Sequence, residues 1–183
     1  MSYAVALEKA WADLAATGSP AGLAVKFLAD EYSVDIKQKK VISLSCNVPA
    51  KDFLTILILH YLRRKEQGLP QVIGKWLTFR EFSGIEGYFD AFRKRSIEPV
   101  IRKYSANPAG LFKALERLPA KKAEGADAAI IVQAFEAVPA LIKVWKADEE
   151  FGADANILFD ANIREIFCIE DMVVLAGIIG ASL

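Results

Sequence analysis

The sequence predicts an α+β fold, a single domain in which a mostly antiparallel sheet is covered by helices. Three observations carry that reading. Short β-prone runs gather early, at residues 25–28, 32–36 and 41–44, and again late, at 129–135 and 141–145. Between the two groups, residues 51–64 crowd Phe53, Leu54, Ile56, Leu57, Ile58, Leu59, Tyr61 and Leu62 into one segment, an apolar surface broad enough for a helix covered on most sides. Helical spacing also marks both ends of the chain, with Val5, Leu7, Trp11 and Leu14 at the start and Val173, Val174 and Leu175 near the finish.

The length of 183 residues suits one hydrophobic core, so 1–183 is expected to form one globular domain, with 1–20 as an N-terminal helix at its periphery. Apolar residues make up 54% and charged residues 25%, well away from the disordered class. Lys plus Arg equals Asp plus Glu at 23 each, which leaves no global field to draw the chain to nucleic acid or to an anionic membrane. Cys46 and Cys168 stand far apart, without the paired spacing of a zinc, iron–sulfur or redox motif, so a reducing cytoplasm is the expected setting. Glu8, Lys9 and Asp13 interrupt the first apolar pattern, unlike a signal peptide. The longest apolar runs, 53–59 and 172–179, fall short of the roughly 20 residues a membrane-spanning helix needs.

In chain order, the first helix ends at Gly18-Ser19-Pro20, and the early β-prone runs follow as a small antiparallel meander. Asn47-Val48-Pro49 breaks that pattern before the central helix, whose Arg63, Arg64 and Lys65 lie at the end where the helix dipole favours cations. Residues 76–79 read as a strand leading to a turn at Gly84. Residues 88–104 read as a helix that Pro99 must kink or restart. Asn107-Pro108 predicts a further helix with Asn as its cap, and 118–127 an exposed loop. The late runs form the best strand pair, joined across Ala137-Val138-Pro139. Residues 157–159 add a short strand, Asp160 is placed to cap a following helix, and Glu170-Asp171 open the last one, with Gly177 or Gly180 near its end.

Polar residues gather at the ends of the predicted strands. Asp148, Glu149, Glu150 and Asp154 form an acidic knot after Trp145; convergent carboxylates bind hard cations, but the spacing is not that of an EF-hand loop, and a turn capped by Asp148 explains the same residues. His60, the only histidine, has no Ser, Cys or second His near it in sequence, so packing competes with a role as base or ligand. Arg80-Glu81, and Arg93-Lys94-Arg95 with Arg102-Lys103, make the most basic region, interleaved with Tyr88, Phe89 and Phe92; an anionic small molecule or the acidic knot is the expected partner of these arginines. Neither a P-loop, a dinucleotide fingerprint nor a nucleophile elbow is present.

Several segments in this order carry a resemblance: Leu59-His60-Tyr61-Leu62, Gly74-Lys75-Trp76-Leu77-Thr78-Phe79-Arg80-Glu81, Gly87-Tyr88-Phe89, Gly125-Ala126-Asp127-Ala128, Trp145-Lys146-Ala147-Asp148-Glu149-Glu150-Phe151 and Ile157-Leu158-Phe159-Asp160. The chain resembles an uncharacterised domain-of-unknown-function family of anaerobic bacteria and archaea. Some of its members join the domain to a cysteine-rich iron–sulfur segment. The resemblance implies one domain and no particular chemistry. This chain lacks the cysteine cluster, so it carries no expectation of an iron–sulfur cofactor of its own.

The functional expectation is a cytoplasmic, non-catalytic binding module for a small anionic ligand or cofactor of unspecified identity. Its site is drawn from Arg80, Glu81, Asp148, Glu149, Glu150, Asp160 and His60, where Arg80-Glu81 and the acidic knot approach one another. Two alternatives stand beside it. One is a divalent-metal-dependent enzyme using Asp148, Glu149 and Asp160. The other is a protein-interaction or scaffold domain, signalled by a homodimer or by an exposed apolar patch.

Overall fold

The computed structural model describes residues 3–183; of the expected N-terminal helix at 1–20, Met1 and Ser2 lie outside the described residues. The chain folds as the expected α+β domain, with its strands divided between two antiparallel sheets rather than joined in one.

Helix α1 (Ala4–Ala15) comes first and buries Ala10, Trp11 and Leu14. Strands β1 (Gly22–Phe27), β2 (Asp30–Asp35) and β3 (Lys40–Ser43) then form the meander as a three-stranded sheet of its own. Helix α2 (Asp52–Glu66) follows, with Ile56, Leu57, Ile58, Leu59, Tyr61 and Leu62 all buried, so it occupies the centre its composition predicts.

The second sheet has the order β4-β8-β7-β6-β5. Strands β6 (Ala128–Phe135) and β7 (Val138–Trp145) are the expected pair, and β8 (Asp154–Asp160) returns along β7 beyond the acidic knot. Strand β4 (Trp76–Thr78) arrives from far away in sequence to pair with the end of β8. The tight turn between β6 and β7 puts Ala137 at φ 59°, a left-handed conformation that costs a side-chain-bearing residue energy. Asn162 Nδ2 donates to the Ala137 carbonyl at 3.1 Å and helps hold it there. The two sheets meet where Leu28 N donates to Ala134 O at 2.8 Å, and where the Phe135 ring lies between Phe27 and Tyr61, at 4.6 and 4.3 Å between centroids.

Two expectations fail locally. The exposed loop expected at 118–127 contains strand β5 (Ala120–Ala123), which pairs with β6 as a sheet edge. Lys121, Lys122 and Pro119 look like loop residues because an edge strand protects itself from further pairing with such side chains. Asn107 does not cap the segment after it: its side chain makes no capping bond, and Pro108–Glu116 is a 3-10 helix begun by the fixed backbone of Pro108.

The kink expected at Pro99 takes a definite form. Helix α3 (Phe89–Phe92) widens into a π-helical turn, Arg93–Ile97, before α4 (Glu98–Tyr104) resumes with proline in its first turn. Proline's missing N–H costs nothing at that position. The last helix, α5 (Ile169–Ser182), ends two residues beyond Gly180, near its end as expected. Gly180 is a packing position, since a Cβ on it would lie 2.9 Å from the Ser96 carbonyl oxygen in the π turn. No helix among the described residues is long and apolar enough to cross a membrane.

Candidate functional site

The residues singled out in the sequence lie in four separate places. Asp148 is exposed and caps its own turn, its Oδ1 accepting the backbone N–H of Glu150 at 2.9 Å and of Phe151 at 2.7 Å. Those two bonds hold its carboxyl below the usual range. Glu149 and Glu150 point into solvent on the same turn. Asp160 is at the other end of β8, roughly 20 Å away at about 3.3 Å per residue. It is buried, and its carboxylate accepts three backbone N–H groups, from Ile73 at 3.1 Å, Gly74 at 2.6 Å and Asn162 at 3.1 Å. Asp160 thus caps the 3-10 turn Ala161–Glu165, as expected, and also pins the segment entering β4.

Arg80 and Glu81 are also engaged locally. Glu81 closes a capping box, accepting the Thr78 N–H at 2.7 Å and its hydroxyl at 2.8 Å, and these bonds hold its carboxyl low. Arg80 lies over the Phe89 ring, 4.0 Å from its centroid. A cleft of about 760 Å³ does open beside the acidic knot, but its lining includes Arg93, Lys146, Trp145 and Phe151, and neither Arg80 nor Glu81. The expected meeting of Arg80-Glu81 with the knot is therefore not made. Among the described residues, no three His, Cys, Asp or Glu side chains gather as a metal-holding group.

His60 has the partner its sequence surroundings do not reveal. Its Nδ1 lies 2.9 and 3.1 Å from the two carboxylate oxygens of Asp171, which is 8% exposed, while the imidazole is 30% exposed. Asp171 also accepts the Cys168 backbone N–H at 3.3 Å and its thiol at 3.1 Å, capping α5. Cys168 is exposed at its surface, but desolvation of the sulfur first, and then the Asp171 charge, push its thiol up to about 12. This pair lines a cleft of about 560 Å³ together with Lys9, Asp13, Arg63 and Arg64. The capping spacing Cys168-x-x-Asp171 is the signal that a carboxylate is fixed here. Only the fold brings it to a histidine 111 residues away.

The most apolar of the clefts lies beside it. A cleft of about 670 Å³ opens between the meander, the start of α2 and the outer face of α5, lined by Phe53, Leu54, Val173, Val174, Ile178 and Val48 among others. Gly177 keeps the α5 wall flat, and Arg95 stands across from it, brought there by the π turn. Arg93 and Arg95, two apart in sequence and so on opposite sides of the helix, line different clefts. Arg95 is exposed and has no carboxylate partner among the described residues. At the other rim, burial works against the charge on Asp30, but hydrogen bonds from Ser43, Ser45 and backbone N–H groups outweigh it and hold the carboxyl low. Burial and the Asp30 charge push the Tyr32 phenol up to about 12.

The two clefts follow one another along α1. Tyr3 lines the apolar one, while Ala6, Lys9 and Asp13, at helical spacings of three and four, line the polar one. On α5, Asp171, Val174 and Ile178 share a face by the same rule, so the seam between α2 and α5 runs from an apolar end to the His60–Asp171 end.

Fold and clefts together define a two-sheet α+β domain with a cleft at each end of a helical seam. The chain belongs to the family Domain of unknown function (DUF3786), whose model matches residues 6–181. No curated protein and no solved structure matches it.

Proposed function

We propose that this protein is a cytoplasmic binding module for a small molecule with an apolar body and one anionic group, held in the cleft between α2, α5 and the meander. The observation that carries this reading is an apolar cavity of about 670 Å³ with the unpaired guanidinium of Arg95 at its edge. Small-molecule sites are typically concave, about 300–1,000 Å³ in volume, mostly apolar and served by a few placed polar groups. The body of the ligand displaces water from Phe53, Val174 and Ile178, and its acid group meets Arg95 where the guanidinium can bind a carboxylate in a bidentate manner. The cytoplasmic setting rests on Cys46 and Cys168, both of which are free thiols.

Isothermal titration with decanoate, decanol and acetate tests the proposal. Decanoate binds, decanol binds about tenfold more weakly for want of the charged contact, and acetate does not bind. Arg95→Gln removes the preference for the acid, and Val174→Phe fills the cleft and abolishes both interactions. Absence of decanoate binding, or binding that Val174→Phe leaves intact, contradicts the assignment.

A further inference from the structure

We infer a second, separate site: the polar cleft at His60 binds an oxyanion, with binding coupled to proton uptake by the imidazole. The geometry starts from Asp171. With both of its oxygens turned to Nδ1, it fixes the neutral imidazole as the Nδ1–H tautomer and leaves Nε2 as the free nitrogen of a ring that lines the cleft. Nε2 has no partner among the described residues, and the ring is 30% exposed to a cavity of about 560 Å³. In the neutral state Nε2 can only accept. Once protonated, the ring donates Nδ1–H to Asp171 and Nε2–H into the cleft at the same time, and the second donor requires an acceptor.

The charges around the ring supply the rest of the site. From α1, Asp13 is engaged by Arg63 Nη1 at 3.3 Å, leaving the other edge of that guanidinium open. From the turn before α5, Glu165 lies 3.7 Å from Arg64, whose Nε donates to the Glu165 carbonyl at 2.8 Å. From α5, Cys168 is held as a neutral thiol and Asp171 is occupied by the imidazole. Lys9 remains as a lining cation with no carboxylate partner among the described residues. The donors left over are therefore Lys9 Nζ, the open edge of Arg63, the Gln67 amide and, on protonation, His60 Nε2. They match a phosphate, a sulfate or a carboxylate, the oxyanion group being the shared chemistry.

Because His60 is the only histidine, its imidazole resonances report on this cleft alone. The experiment is a proton NMR titration of His60 against pH in sodium sulfate and in sodium chloride at matched ionic strength. An anion that binds only the protonated ring must raise the titration midpoint. The expected result is a saturable upward shift with sulfate and none with chloride. Lys9→Ala weakens the apparent sulfate affinity about tenfold, while Arg95→Gln, in the other cleft, leaves it unchanged. Identical midpoints in the two salts overturn the inference, as does a sulfate shift that Lys9→Ala does not weaken. A response lost in Arg95→Gln would place the ion in the apolar cleft and overturn it too. Because decanoate binding depends on Arg95 and the sulfate response on Lys9, either assignment can fail without the other.

Discussion

The acidic stretch from Trp145 to Asp160 and the seam between α2 and α5 solve opposite problems with the same kinds of residue. Along the first, every well-placed carboxylate is satisfied by nearby backbone: Asp148 by its own turn, and Asp160 by three N–H groups around the entry to β4. Along the second, polar groups meet across long sequence separations and leave one atom unused, as when Asp171 occupies Nδ1 of His60 and leaves Nε2 open. A dense run of charge in a sequence thus marks a turn more readily than a site, since adjacent carboxylates repel one another and each finds backbone donors first. A site needs groups that the fold brings together and does not fully consume.

Substitutions sharpen this contrast, beginning with the strongest. Asp160→Ala removes the acceptor of three backbone N–H groups, that of Asn162 in the interior, and is expected to lower stability by roughly 3 kcal/mol, read as the urea midpoint at constant m-value. A loss below about 1 kcal/mol would mean that Asp160 does not hold the entry to β4. Asp171→Ala removes the α5 cap and the imidazole partner together, with an expected cost of about 2 kcal/mol. Gly180→Ala forces a Cβ to within 2.9 Å of the Ser96 carbonyl and should cost about 1–3 kcal/mol, while Gly177→Ala, whose Cβ stays 3.8 Å from Arg95, should be close to neutral. Equal effects at the two glycines would refute the packing account of the π turn. Asp148→Ala should lower Tm by less than any of the destabilising changes above, and Glu149→Gln should leave it unmoved.

The seam also carries a pH signature. Cys168 is held as a thiol in the folded state, up to about 12, whereas an unfolded cysteine ionises near 8.5. A group whose folded value is raised contributes stability that is whole below the unfolded value and is lost as pH rises toward the folded one. Stability should therefore fall between about pH 8.5 and 12, less steeply in Cys168→Ser. At neutral pH, Cys168 in a Cys46→Ser background should alkylate more slowly than a free thiol.

How much of this was legible in the sequence differs between the regions for a physical reason. The α+β class, the central helix, the strand pair and the Asp160 cap follow from periodicity and local capping, which act over a few residues. Strand β5 was hidden because edge protection uses the vocabulary of loops. Of the expected site residues, Arg80, Glu81, Asp148 and Asp160 proved to be engaged in caps or ring contacts, and Glu149 and Glu150 face solvent. His60 alone lies in a cleft with an open nitrogen, and its partner Asp171 could be read only as a helix start. Arg95 was visible as one charge in a basic run. Helical spacing separates it from Arg93, but no local pattern shows that its side of the helix faces an apolar cavity.

The claim that the helical seam, and not the acidic knot, holds the ligand is tested most directly by mapping backbone amide shifts on titration with decanoate. The account predicts the largest shifts at Phe53, Arg95, Val174, Gly177 and Ile178, with residues 146–154 unmoved. Shifts concentrated at Lys146, Asp148 and Phe151, with the α5 residues silent, would contradict it.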